Sequence, residues 1–281
     1  MAFTLAALTA LLLSVSTTTA QAQGNEPNTF SFTFADYKNQ NRWDQDESWR
    51  RHGASQPASS DGIPADHDAA RIQAGFNTAI TLNGSPRTLG QLQLIVADHK
   101  SIAFSGDKRG GVGLTVTGNV TKSGPGAVKI NGYYTSGLTV GGDLIIQEGQ
   151  LLNPADKHHA GHITVMGRIV LEGGSLQANR LVLGPEAALA GQLDKLDGRL
   201  TLAKDGGGAL LEIQSGARLS LDGLGTANPT AGNPLVIASG YDQLKGRFAD
   251  LPDGASLDVE GVALTIHYLS DRIELRVAGA S

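Results

Sequence analysis

The chain reads as an all-β protein, a parallel β-helix or solenoid with an N-terminal cap and a small antiparallel module at its C-terminal end. Three observations predict this. The first is self-similarity. Leu114-Thr-Val-Thr-Gly118-Asn-Val120 recurs as Leu138-Thr-Val-Gly-Gly142-Asp-Leu144 and again as Ile163-Thr-Val-Met-Gly167-Arg-Ile169, at shifts of 24 and 25 residues (138 − 114 and 163 − 138). Repetition at this period marks a stack of coils, none of which can bury its apolar face alone. The second is local pattern: short runs of alternating apolar and polar residues are separated by Gly-rich turns, with no amphipathic stretch of helical length. The third is composition, since 37 Gly and 17% charged residues suit a turn-rich β protein better than a helical enzyme.

The elements follow in order. Leu5 to Val15 is an apolar run, and Ala20-Gln-Ala22 supplies small residues for cleavage, so residues 1–22 read as a secretory signal and the mature chain starts near Gln23. The alternative, a short buried or membrane helix, is disfavoured because an eleven-residue run is too short to span a bilayer. No later stretch is long and apolar enough to be a span. Cysteine is absent, so an exported chain of this kind is held by its core and its repetition, as suits a periplasmic or secreted bacterial protein. The net charge is −5 and the basic residues are dispersed, which excludes an obvious nucleic-acid partner.

Residues 23–68 read as the cap. Phe30, Phe32 and Phe34 alternate as on one face of a strand. Trp43 and Trp49 lie in a charged segment and admit two roles: stacking on sugar rings, or covering the open end of the stack. The second is favoured because an exposed end must be covered. Asp66-His-Asp68 and Asp44-x-Asp46 offer hard oxygen ligands, but without the ligand number or spacing of a calcium loop, so turn carboxylates accepting backbone N–H bonds are the simpler reading.

Residues 69–224 read as six to eight coils, with apolar runs at Ala70 to Ile72, Ala79 to Leu82, Leu92 to Val96 and Ile102 to Phe104 leading into the repeats. In each Leu-Thr-Val unit, Leu and Val face inward and Thr outward. Asn153 to His162 interrupts the pattern at a corner. Its His158, His159 and His162, with Asp156 nearby, are the candidate transition-metal ligands, set against a solvated loop tip. Gly206-Gly-Gly208 lacks the helix and the Lys-Ser/Thr pair of a phosphate cradle. Residues 225–281 read as an antiparallel closing module, with strands expected at Leu235 to Ala238, Arg247 to Leu251, Leu257 to Val259, Val262 to Tyr268 and Arg272 to Val277.

One repeat carries a family resemblance. Thr121-Lys-Ser-Gly124-Pro-Gly126-Ala-Val-Lys-Ile-Asn-Gly132-Tyr-Tyr-Thr135-Ser-Gly137-Leu-Thr-Val140, followed by Gly149-Gln-Leu151, resembles the autotransporter-associated β-strand repeat. Gly246 to Ala255 with Leu264 to Tyr268 looks like the module that ends such arrays, and Trp49 with Pro64 to Ile72 looks like their start. The resemblance implies a right-handed parallel β-helix from a large bacterial surface protein, with the repeats as scaffold. The chain ends at Ser281, leaving no room for an outer-membrane barrel, so self-translocation is not expected.

Three functions follow. The first is a non-catalytic exported scaffold or adhesin-like protein whose partners are polysaccharides or other surface proteins. It has no cofactor, and its ligand candidates are Trp43, Trp49, Tyr133 and Tyr134. The second is a polysaccharide lyase or glycosidase. Alignment of the repeats stacks Asp143 beside Asn119 and Arg168, and sets Glu148 and Glu172 at comparable positions one coil apart, but no recognised catalytic spacing appears and no catalytic residue is assigned. The third is a self-assembling structural subunit.

Overall fold

The computed structural model describes residues 28–32, 41–45, 48–52, 62–82, 86–106, 113–130, 137–153, 161–203, 208–230 and 232–279. The expected leader lies outside them, as do Phe34, Asp46, Tyr133, Tyr134, Asp156, His158 and His159.

The described strands form three sheets of nine, eleven and seven strands, which the chain visits in rotation. Strands of the first sheet are Thr29–Phe32, Ala69–Ala74, Gln91–Val96, Val120–Ser123, Leu144–Ile146, Arg168–Leu171, Ala188–Gln192 and Arg218–Gly223, each parallel to the next. The second sheet stacks Asn41–Arg42, Thr78–Leu82, Ser101–Gly106, Ala127–Ile130, Gln150–Asn153, Ser175–Ala178, Leu200–Leu202 and Leu235–Ser239 in the same way. The third runs from Arg87–Leu89 through Gly113–Val116, Gly137–Val140, His162–Val165, Arg180–Leu183 and Leu210–Ile213 to Gln243–Lys245. This all-β, parallel-sheet topology fits a parallel β-helix. The only helix among the described residues is the single turn Leu193–Leu196.

The expected alternation appears in each repeat. Leu114, Val116, Leu138, Val140, Ile163 and Val165 are fully buried, while Thr115, Thr139 and Thr164 point outward and lie in register. The ladder is longer than the pattern suggests. Its first coil already begins at Thr29–Phe32, which pairs in parallel with Ala69–Ala74 across an intervening polar stretch that carries no alternation. At the other end, Leu235–Ser239 serves both arrangements: Ser239 lies beside Thr201 in parallel, and the same strand pairs antiparallel with Arg272–Val277. Val262–Tyr268 and Ser256–Val259 complete that antiparallel module through a tight turn at Glu260-Gly261, both with positive φ. The strand expected over Arg247 to Leu251 is absent. Phe248 is buried there beside a turn, with Ala249 N–H donating to Ala217 O at 2.7 Å and Asp250 at φ 59°, so the apolar Phe248 and Leu251 reflect packing of a bend.

Two of the corners differ in tolerance. Between the third and first sheets, the same six-residue step separates Leu114 from Val120, Leu138 from Leu144 and Ile163 from Ile169. Glycines stack there: Gly118 N–H donates to Gly90 O at 2.8 Å, Gly142 to Gly118 at 2.9 Å and Gly167 to Gly142 at 3.1 Å. A Cβ on Gly118, Gly142 or Gly167 would press into the backbone of the glycine one coil below. Between the second and third sheets the length varies, from twelve residues (Leu151 to Ile163) through ten (Val128 to Leu138) to five (Leu176 to Leu181).

Gly142→Ala is expected to lower stability by about 1–3 kcal/mol, because the new methyl has rigid backbone as its neighbour. Gly75→Ala, at a turn with open space around the added atom, is expected to change little. Thermal melts of the two variants beside the parent check the contrast.

Candidate functional site

The outer face of the first sheet offers a recess for a ligand. Register places Thr29, Ala69 and Gln91 in one outward column, with Asn119 next in line because Leu92 pairs with Val120. Ser31, Arg71, Gln93 and Thr121 form the adjacent column. Ala69 is short where its neighbours are long, so a groove of ≈ 330 Å³ opens above it, floored by the buried Ala70 and Leu92 and flanked by the amides of Gln91, Gln93 and Asn119. Its one charge is Arg71, whose Nη2 donates to Gln73 Oε1 at 3.3 Å. Alternating outward residues, Arg71-x-Gln73 and Gln91-x-Gln93, are the sequence signal for this face.

Farther along the same face, the expected stacking of Asn119, Asp143 and Arg168 is present. Asn119 Oδ1 accepts Asp143 N–H at 2.8 Å, and Asp143 Oδ1 accepts Arg168 N–H at 2.8 Å. The Arg168 guanidinium returns to Asp143 Oδ2 through Nε at 3.1 Å and Nη2 at 2.7 Å. That hydrogen bond, aided by the charge of Arg168, holds the Asp143 carboxyl below the usual carboxylate range. The set is a bracket between coils, with both carboxylate oxygens engaged. Glu172 stands over Gln147 rather than over Glu148, since Ile146 pairs with Leu171, and Gln147 Nε2 donates to Glu172 Oε2 at 3.2 Å. Glu148 is therefore one residue out of line with Glu172, and the two do not stack as a carboxylate pair.

The indole candidates sit elsewhere. Trp43 is fully buried and Trp49 nearly so, with ring centroids 4.7 Å apart, and Phe32 lies edge-on to Trp49 at 4.8 Å. Trp49 Nε1 donates to Trp43 O at 2.8 Å. Neither ring face is open to a sugar, so saccharide stacking on Trp43 and Trp49 is corrected: the apolar area of both rings goes into the core instead. Of the metal candidates, His162 is outward on its strand, beside Gly137 and Arg180, with its ring against the Gly137 backbone. Among the described residues no group of three metal-binding side chains converges. Asp68 accepts from Asn28 Nδ2 at 3.1 Å and from Ala65 N–H at 2.9 Å, and Asp44 takes both ends of the Arg42 guanidinium, so these two are structural carboxylates. Asp66 is exposed.

Two buried charges escaped the sequence pattern. Lys122 occupies an inward position of its strand and is wholly shielded. Its Nζ donates to the carbonyls of Ser123, Gly124 and, one coil on, Glu148. Burial pushes this amine down to about 8, opposed by the nearby Glu148 carboxylate. It thus explains the Lys of the Thr-Lys-Ser-Gly motif as a tie across a corner. Glu274 is shielded on the outer side of the second sheet, between Arg272 Nε at 2.7 Å and Arg276 Nε at 2.6 Å. Burial favours its neutral form, but the two arginine hydrogen bonds outweigh this and leave its carboxyl below the usual range.

A second hollow of ≈ 520 Å³ lies against the antiparallel module, lined by Leu244, Arg247, Tyr268 and Ser270 among others. Its aromatic face is occupied, since the Arg247 guanidinium lies 5.4 Å from the Tyr268 ring centroid. The Tyr268 hydroxyl donates to Leu251 O at 2.8 Å and accepts Phe248 N–H at 3.2 Å, and burial pushes it up to about 12. This arrangement serves packing of the bend more than ligand capture. Compared with known proteins, the chain matches no family model, no curated protein and no solved structure.

Lys122→Met leaves three carbonyls without their donor and is expected to cost about 1–3 kcal/mol at neutral pH. In the unfolded chain Lys122 titrates near 10.5, and in the folded chain near 8. Between those values the unfolded state holds the extra proton, so stability rises with pH across the window, while below about 8 the cost of the buried charge is fully present. Thermal midpoints from pH 7 to 11 should therefore show a gain in the parent that Lys122→Met lacks. Separately, Trp43 and Trp49 should give blue-shifted emission that resists iodide quenching and stays unchanged when saccharides are added.

Proposed function

We propose that the chain is an exported, non-catalytic surface or extracellular scaffold that binds glycans or other proteins along its ladder faces. The observation that carries this reading is the groove over Ala69, lined by residues of four successive coils in register. Long, regularly spaced columns of polar groups are the way a solenoid presents an extended binding surface. The carboxylates best placed for cleavage chemistry are committed elsewhere: Asp143 brackets Arg168, and Glu172 accepts from Gln147.

The finer architecture belongs to the same proposal. Crossovers between parallel strands of one sheet are overwhelmingly right-handed, so the coils wind right-handed. Trp49–His52, antiparallel to Thr29–Phe32 at the end of the first sheet, acts as the N-terminal cap with Trp43 and Trp49 beneath it. The antiparallel strands after Leu235 close the other end. The Thr121 to Leu151 repeat supports membership of the autotransporter-associated class, and the leader over residues 1–22 supports export. Among the described residues no helix is long and apolar enough to cross a membrane.

A glycan array probed with the mature chain, with the same polysaccharides followed for shortening, tests the reading. Saturable binding with chain length preserved is the expected result. Depolymerisation, with or without Ca²⁺, would replace it by an enzymatic one.

A further inference from the structure

We propose that the groove over Ala69 binds an acidic polysaccharide, taking a sugar carboxylate on Arg71 and the neighbouring hydroxyls on the amides around it. This deepens, and rests on, the glycan-binding reading above.

The argument starts with charge. Arg71 is exposed, is the only charged residue lining the groove, and pairs with no carboxylate among the described residues; its guanidinium makes one long hydrogen bond, to Gln73. A guanidinium presents five N–H donors in a fork matched to a carboxylate, and one weak amide contact leaves most of them for a ligand. The net charge of the chain is −5, so a polyanion gains nothing from the molecule as a whole and must be held by this local feature.

The remaining groups are suited to sugar hydroxyls. Gln91 and Gln93 are exposed and each offers both a donor and an acceptor, as a hydroxyl does. Asn119 is fixed: its Oδ1 is taken by Asp143 N–H, which leaves Nδ2 as a donor at the groove's edge. Thr121 adds a hydroxyl in the column of Arg71 and Gln93. These groups repeat at the coil spacing of about 4.8 Å, a length comparable to one sugar unit of an extended chain, so successive units can meet successive coils. An acidic peptide fits less well. Peptides bind sheets by adding a strand at an edge, and this groove lies on the outer face, where the backbone hydrogen bonds are already used within the ladder.

Isothermal titration of the mature chain with polygalacturonate, its fully methyl-esterified form, a neutral β-glucan and poly-glutamate tests the assignment. Polygalacturonate is expected to bind and to weaken as salt is raised. Arg71→Gln should reduce its affinity about tenfold, as loss of one charge-assisted contact implies, and esterification should do the same. Gln93→Ala, in the same column, should weaken binding severalfold without altering the salt dependence. Both positions are exposed, and unchanged melting midpoints would confirm that the variants fold. Absence of polygalacturonate binding, equal affinity for the ester, indifference to both substitutions, or equally tight binding of poly-glutamate would overturn the assignment. Binding of the neutral glucan alone would also overturn it, while leaving the broader glycan-binding reading in place. Shortening of the polymer would overturn that broader reading.

Discussion

Backbone contact at one corner governs the rest of the molecule. Gly90, Gly118, Gly142 and Gly167 lie one above another, each N–H of the upper three reaching the carbonyl of the glycine below. At Gly118, Gly142 and Gly167 an added Cβ would meet the glycine of the coil below, so the missing side chain is what lets the coils approach to hydrogen-bonding distance at these positions. Once the spacing is fixed there, the six-residue step to the next strand brings Val120, Leu144 and Ile169 into a single column. The Asn119, Asp143 and Arg168 bracket follows directly, because each of these residues succeeds a stacked glycine and finds its partner one coil away.

The interior then has to accommodate polar groups without losing the ladder, and it does so in two ways. Lys122 points inward but bends its ammonium to a corner, where three carbonyls replace water. Glu274 stays on the outside of its sheet and is shielded by the arginines on either side of it. The first arrangement joins coils, since Glu148 belongs to the next one. The second stiffens the strand that the antiparallel module shares with Leu235–Ser239. Both are charge-assisted networks whose value depends on every member being present.

Much of this was legible in the residues. The Leu-Thr-Val units gave the inward and outward parity, and their alignment foretold the contact of Asn119, Asp143 and Arg168. Lys122 was hidden because a charged residue at an inward position looks like a break in the alternation; only its place between Val120 and Gly124 hinted at parity. The first coil was missed because the polar stretch between Thr29–Phe32 and Ala69–Ala74 carries no periodic signal. Trp43 and Trp49 were ambiguous in principle, since an aromatic ring beside charged residues suits either a sugar or a core end, and burial settled the matter. The groove was illegible for another reason. It depends on Ala69 being small among larger neighbours two coils wide, a relation between columns that only register reveals.

The corner between the second and third sheets has a different meaning. Its span is ten residues between Val128 and Leu138, twelve between Leu151 and Ile163 and five between Leu176 and Leu181, yet the strands on both sides keep their pairing. Contour length can therefore be added or removed at that bend without propagating into adjacent turns of the stack. Heritable change has an outlet there: segments can be lengthened or shortened at one edge while the opposite edge, where glycines stack from Gly90 to Gly167, keeps one six-residue step through three successive coils.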